Sequence, residues 1–520
     1  MRSIYTIIKA PMHTSLQKTP KQPDSLVARA VRKTIIIFSS RYFFWAIIAL
    51  FIVQCLWIAL SFRYPMLFDE RYHVGVINIF SHEYLPFISH QPATGAYDMF
   101  GNLSYGNASL YHYLMSFPNR ILTSLSGSLA VQVIGMRVIN ILMAAAGLYV
   151  FSRLFTALGV RQILINLGIL FYTLIPLVVF VSATVSYDNM LFPLTALFLL
   201  FGVRIIKSKK ADARDYSLFL AIGLLTTLVK FTFLPILLAG IVFVLVRDGV
   251  RHKQKLLVQL KKTSTSLSRT NKVLLVVIII AVLGLFVARY GVAVIRYGSP
   301  IPDCAKILTQ QRCLASGVYA AEVSARSTKD QRLPEPIEIY AQNWVETILL
   351  QLDTSAATTQ SGRLEVGKAL PIISLLMVSA VVIGIGAVLY RLREFLRDQR
   401  WVFLLTMSLA LVGVTFLFNI TTYYSVHMDL NVQTRYLLSV LPIFIVMSLI
   451  ALNDILGKRS IIKVVLVIGV LVLSTQGGGV IKHIMTSEDD WYWNNATLRQ
   501  TNNALRGILT PIVKQERLVD

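Results

Sequence analysis

The chain has 520 residues, of which 55% are hydrophobic and only 15% charged, with a mean hydropathy of +0.64. That balance excludes an ordinary soluble domain and points to a membrane protein. The net charge is +24, which in a soluble protein would suggest nucleic acid, but its placement along the chain argues against that partner.

In chain order, residues 1–41 form a basic segment with Pro11, Pro20 and Pro23 and no small-residue cleavage site after the first apolar run. This reads as a cytoplasmic tail ahead of an uncleaved signal anchor. Eleven apolar stretches follow, near 42–62, 128–150, 163–182, 188–206, 216–229, 231–246, 273–294, 369–390, 401–420, 436–452 and 461–475. Most are long enough to cross a hydrocarbon core of roughly 30 Å at 1.5 Å per residue. The fifth and sixth are short and nearly continuous, so they read as a hairpin around Lys230 or as one kinked span. The expected fold is therefore an all-α polytopic bundle of about eleven spans over 42–475, with a short segment, 476–520, after it.

With the N-terminus placed in the cytoplasm, the inner segments carry +23 of the +24, and the outer segments 63–120, 296–368 and 476–520 are each near zero. That is the positive-inside pattern. It predicts a multi-pass cell-membrane protein, and it makes the basic runs a topology signal in contact with anionic lipid heads.

The outer segments 63–127 and 296–368 are long. From Asp69, residues Asp69, His73, Val76 and Phe80 share one helical face, and Pro86 follows, so an amphipathic surface helix is expected there. A second is expected over 107–123. Trp491-Tyr492-Trp493 reads as an interfacial anchor, Gly477-Gly478-Gly479 as a joint, and 502–517 as a short amphipathic helix. Cys304 and Cys313 lie close together in an outer loop, where a disulfide fits an oxidising compartment. Cys55, inside the first stretch, reads as a packing residue.

Several polar groups fall at the outer ends of the spans: Asp69 and Glu70, Asp98, Asp188, Lys230, His427 and Arg435. Ionisable groups at such places are costly and often functional. The set suggests glycosyl transfer from a lipid-phosphate donor. An acceptor hydroxyl is a poor nucleophile, and a carboxylate in reach takes its proton as the sugar–phosphate bond breaks. Asp69 would be that base, with Glu70 beside it, and Arg435 and Lys230 would hold the phosphate. Asp98, Asp188, His73 and His427 are candidates to support the acids or to ligate a divalent metal such as Mg or Mn. Each has a plainer alternative: Asp69 and Asp188 as helix starts, Arg435 and Lys230 as groups snorkelling to lipid phosphates, and His73 as an interface histidine.

The acidic pair after the first span, the surface helix beginning there, Leu110-Tyr111-His112-Tyr113 about 40 residues on, and Gln433-Thr434-Arg435-Tyr436-Leu437-Leu438 with Pro442 entering a late span together resemble the GT-C glycosyltransferases. The likeness is to bacterial relatives of protein O-mannosyltransferases and of lipid A aminoarabinose transferases, and to a related group of polytopic membrane proteins of unassigned function. The resemblance implies a polyprenyl-phosphate-linked sugar donor, inversion at the anomeric carbon and Asp69 as base, with the acceptor unspecified. The chain departs from the pattern in three ways. Asn107-Ala108-Ser109 stands where a proline is common, the first loop has no Asp-x-Asp, and only about 45 residues follow the last span. The competing readings are a lipid-linked saccharide flippase and a glycan polymerase or ligase.

Overall fold

The computed structural model describes residues 26–67, 69–86, 110–252, 255–314, 317–329, 333–358, 364–366, 370–428 and 432–513. All eleven apolar stretches fall in helices. Seven helices are long and apolar enough to cross a membrane: Arg41–Ser61, Leu129–Ala157, Asp188–Lys207, Phe231–Arg251, Arg269–Tyr297, Ile372–Tyr390 and Gln399–Val426. Two further apolar helices, Gln162–Thr173 and Pro176–Ser182, meet at 76°, the geometry of a broken span or a re-entrant loop. The bend follows from Pro176, which starts the second helix and cannot continue the hydrogen bonding of the first. The protein is a multi-pass membrane protein, but the eleven stretches are not eleven full-length spans. Leu441–Ile455 and Ser460–Ser474 have 15 residues each, which at 1.5 Å per residue reach about 22 Å.

The region around Lys230 is a hairpin, not a kinked span. A Cβ on Gly223 would meet Leu237, and one on Gly240 would meet Phe219, so positions at equal or nearly equal separation from Lys230 face each other. Close helix approach at glycine recurs through the bundle. A Cβ on Gly147 would lie 2.2 Å from the Phe192 ring, and one on Gly202 2.3 Å from Phe403.

The basic segments meet at one end of the bundle. Arg247 donates to the carbonyls of Ile205 and Ile206 and to Gln399, Arg251 to Ser208 O, and Arg391 pairs with Asp454. Asn166 donates to Phe38 O and Ser40 O, fastening the helix Leu26–Ser39 to the same end.

The other end is capped by the loop helices. The expected surface helices are Glu70–Phe80 and Leu110–Leu125. They pack on each other, with Asn119 donating to Asn78 and Ser81 and Arg120 to the carbonyls of Phe80 and Glu83. A disulfide joins Cys304 to Cys313, Cα to Cα 5.9 Å, and Cys55 is a buried free thiol. A two-stranded hairpin, Ala356–Thr358 with Leu364–Val366, interrupts the second long loop.

The aromatic Trp491-Tyr492 segment is not an interfacial anchor. Both side chains are buried, and Tyr492 pairs with Phe62 as an isolated antiparallel bridge. Arg63 N donates to Trp491 O and Trp493 N to Ser61 O, so this stretch sutures the end of the first span. Among the described residues the last helix is Ala496–Leu509, which begins ahead of the expected 502–517 and ends before it; 514–517 lie outside the described residues. Asn495 starts it by accepting from Thr497 N and Leu498 N.

Replacing Gly147 by Val should lower stability in detergent by about 1–3 kcal/mol through overpacking against Phe192. Gly386→Val, at a position with open space, serves as the control. Equal thermal midpoints for the two would contradict the helix contact.

Candidate functional site

Asp69 immediately precedes the helix Glu70–Phe80 and occupies its N-cap position. Its backbone is left-handed (φ 65°, ψ 25°), and its side chain makes no capping bond. Asp tolerates this conformation better than most residues. Forgoing the cap costs about 1 kcal/mol. The carboxylate goes elsewhere: Asp69 Oδ2 accepts from Arg435 Nη2 at 2.6 Å. The Arg435 side chain is fully buried, whereas that of Asp69 is 26% exposed.

Arg435 lies in a short 3-10 turn, Thr434–Leu437, held from the second long loop. Thr434 N donates to Gln351 Oε1 and Thr434 Oγ1 to Ile348 O. Arg435 Nε is 3.7 Å from Asp188 Oδ2. Asp188 Oδ1 in turn faces Lys230 Nζ at 3.1 Å. Ser186 Oγ steadies Asp188 from within the same turn. The Lys230 ammonium lies over two rings, 3.7 Å from the centroid of Tyr436 and 4.6 Å from that of Tyr187. Two acids and two cations thus alternate across a cluster drawn from the first loop, the start of Asp188–Lys207, the Lys230 hairpin tip and the 434–437 turn. A cavity of ≈ 20 Å³, lined in part by Ser182, Asp188, Asn189, Tyr172 and Arg435, lies behind it and has room for about one water.

Glu70 does not share this cluster. It is fully buried, and its carboxylate accepts from Arg137 Nε (2.8 Å) and Nη2 (2.7 Å), Met66 N (2.7 Å) and Val185 N (3.1 Å). With its oxygens taken by these four donors, Glu70 braces this part of the fold. His73 stacks on His112, with Nδ1 of the first 2.9 Å from Nε2 of the second, and its ring meets Tyr187 edge-on at 4.7 Å. Burial drives both imidazoles toward the neutral form, His112 down to about 3 and His73 well below its ordinary range. His427 is the left-handed C-cap of Gln399–Val426 and bonds Lys329 O. Asp98 lies outside the described residues.

These donors do not fit a metal ion. Asp69 and Asp188 each face a cation, and among the described residues no three His, Cys, Asp or Glu side chains gather closely enough to hold one. Sequence reasoning missed Arg137, Asn140, Tyr187 and Tyr436. Arg137 carried a signal, since it is the sole charged residue in the apolar stretch 128–150.

No family model and no curated protein matches the chain. Among solved structures, the chain is similar to the Archaeoglobus fulgidus oligosaccharyltransferase in its apo form (TM-score 0.48, 12% identity, 89% of this chain and 56% of that one). It is also similar to the same protein in complex with zinc and sulfate (0.45, 12%, 82% and 52%). A third likeness is to ArnT from Cupriavidus metallidurans bound to undecaprenyl phosphate (0.43, 12%, 90% and 70%). The chain spans about half the length of the archaeal structures. Both proteins are GT-C glycosyltransferases, the class the sequence resembles; at these identities and TM-scores no residue's role comes from them.

Arg137→Met leaves the Glu70 carboxylate buried without its partner, so it should cost about 3–5 kcal/mol of stability, read as a large drop in thermal midpoint; a change under about 1 kcal/mol would contradict the brace. The histidine pair makes a second prediction. His112 titrates near 3 in the fold and near 6.5 when unfolded. The unfolded chain therefore binds the extra proton between these values, and stability falls as pH drops through 6.5 toward 3. By pH 5 the loss from His112 is about 2 kcal/mol. His112→Gln should flatten that part of the pH–stability curve, and an unchanged slope would contradict it.

Proposed function

We propose that the protein is a membrane glycosyltransferase that moves a sugar from a polyprenyl-phosphate carrier to an acceptor hydroxyl, with Asp69 as general base. One observation carries the reading: the Asp69 carboxylate is withheld from the helix it begins and placed, partly exposed, 2.6 Å from a buried guanidinium. A base must be reachable by the acceptor, and a phosphate needs a fixed, charge-bearing seat. Asp69 has the first property and Arg435, with Lys230 nearby, the second.

In the reaction, the acceptor oxygen attacks the anomeric carbon and its proton passes to Asp69. The bond from that carbon to the phosphate oxygen breaks, and its electron pair stays on the phosphate. The leaving group gains negative charge, which Arg435 neutralises by directed hydrogen bonds and Lys230 as a mobile point charge. Attack from the face opposite the leaving phosphate inverts the anomeric configuration. Asp188 holds Lys230 and faces Arg435, and Tyr187 and Tyr436 give the ammonium two electron-rich faces. The clustering of basic segments at the opposite end of the bundle supports an N-terminus in the cytoplasm and a site on the outer face. The acceptor is left open by the site.

In a purified preparation offered a panel of polyprenyl-phosphate-linked sugars and hydroxyl acceptors, wild-type protein should release polyprenyl phosphate. Asp69→Asn should lower kcat by about 10²–10⁴-fold, and Lys230→Met should lower kcat as well as raise the donor KM. Full activity in Asp69→Asn would remove Asp69 from the chemistry.

A further inference from the structure

The contact that carries the proposed function also poses a conflict. Arg435, which would seat the donor's phosphate, already has its Nη2 bonded to the base. A phosphate seated on the same guanidinium would bring a second anion beside the Asp69 carboxylate, and like charges so close repel. We infer that Asp69 is the resting occupant of the anion site and that the donor's phosphate displaces it. Binding is then ordered, donor first, and the base becomes fully available only once the donor is seated. This inference rests on the reading of Arg435 as a phosphate ligand.

The geometry says which partner yields. Arg435 is fully buried, it lies over Tyr436 with 5.3 Å to the ring centroid, and Thr434 beside it is fixed from Gln351 and Ile348. Asp69 is partly exposed, and no capping bond holds its carboxylate to the helix that follows. A rotation of that one side chain breaks the pair without disturbing the backbone, which stays fixed by His73 N bonding Asp69 O at 2.9 Å and by Glu70 in its brace. Asp188 is a poorer candidate to move, being nearly buried and tied to Lys230 and Ser186.

The displacement also times the chemistry. While Asp69 Oδ2 accepts from Arg435, part of the carboxylate's accepting capacity is taken and its position is tied to the guanidinium. When the phosphate takes over the guanidinium, that oxygen is freed beside the newly seated donor. An acceptor arriving first would meet a base already bonded through one oxygen, so activation of hydroxyls, water included, is weaker when no donor is bound. After transfer, the departing polyprenyl phosphate carries one more negative charge than the donor's phosphodiester. Asp69, then protonated, must shed its proton and recapture Arg435 to expel it.

The test is the affinity of undecaprenyl phosphate for the full-length protein in nanodiscs of zwitterionic lipid, by ligand-induced thermal shift and direct titration. Asp69→Asn removes the internal competitor but keeps its size. It should bind undecaprenyl phosphate about tenfold or more tightly than wild type while being inactive in transfer. Asp69→Ser, smaller and also neutral, should tighten binding too and guards against misfolding of the first variant. Arg435→Ala should weaken binding in either background. Unchanged or weaker binding in both Asp69 variants, with Arg435→Ala still weakening it, would overturn the displacement and leave the phosphate reading standing. Binding indifferent to Arg435→Ala would overturn both.

Discussion

The site depends on one buried ion pair. Arg137, in the middle of an apolar helix face, meets Glu70 with no exposure on either side. Burying two charges is expensive, and such a pair persists only when its remaining hydrogen-bonding capacity is satisfied. It is satisfied by five backbone groups. Arg137 donates to Ala59 O, Phe62 O and Arg63 O at the end of the first span. Glu70 accepts from Met66 N, in the approach to Asp69, and from Val185 N, three residues before Asp188. The pair therefore fixes, relative to one another, the two loops that deliver the two site acids. One turn further along the same helix, Asn140 Oδ1 accepts from Tyr111 OH, Ser186 N and Asn189 Nδ2, so a single face of Leu129–Ala157 aligns three elements of the site.

The division of labour between adjacent acids follows from that brace. Successive residues at a helix start point in different directions, so when Glu70 turns inward to Arg137, Asp69 faces the cluster. Its left-handed backbone is the local cost of this arrangement and, as with much backbone strain, it sits where function is proposed. Neutral His73 and His112 lie one turn beyond. They fill the space beneath Tyr187 without adding a charge to a cluster whose acids and cations already balance.

Much of the fold was legible because membrane spans announce themselves by run length and loop charge, which are local properties. The Lys230 hairpin was one of two readings, and the glycine contacts decide it. The sharp bend within 163–182 was missed although Pro176 marked it, since a proline inside a long apolar run is compatible with either a kink or a break. Trp491-Tyr492 was misread because aromatic residues at a membrane edge look alike whether they face lipid or a partner, and here the partner is Phe62, more than 400 residues away. The site shows the same limit. Asp69 and Arg435 each stood out by type and position, but their pairing spans 366 residues and is a tertiary fact. Arg137 was visible as a lone charge in an apolar run, yet only the fold reveals that Glu70, not solvent or substrate, is its partner.

The central claim is that a carrier phosphate is seated by Arg435 and Lys230 within reach of Asp69. The most direct measurement is an experimental structure, by electron cryomicroscopy in nanodiscs, with undecaprenyl phosphate added. The account predicts density for the phosphate within hydrogen-bonding distance of Arg435 and Lys230, with the Asp69 carboxylate turned away from the guanidinium and the Glu70–Arg137 pair unchanged. A phosphate bound elsewhere, with Asp69 and Arg435 still joined, would contradict it.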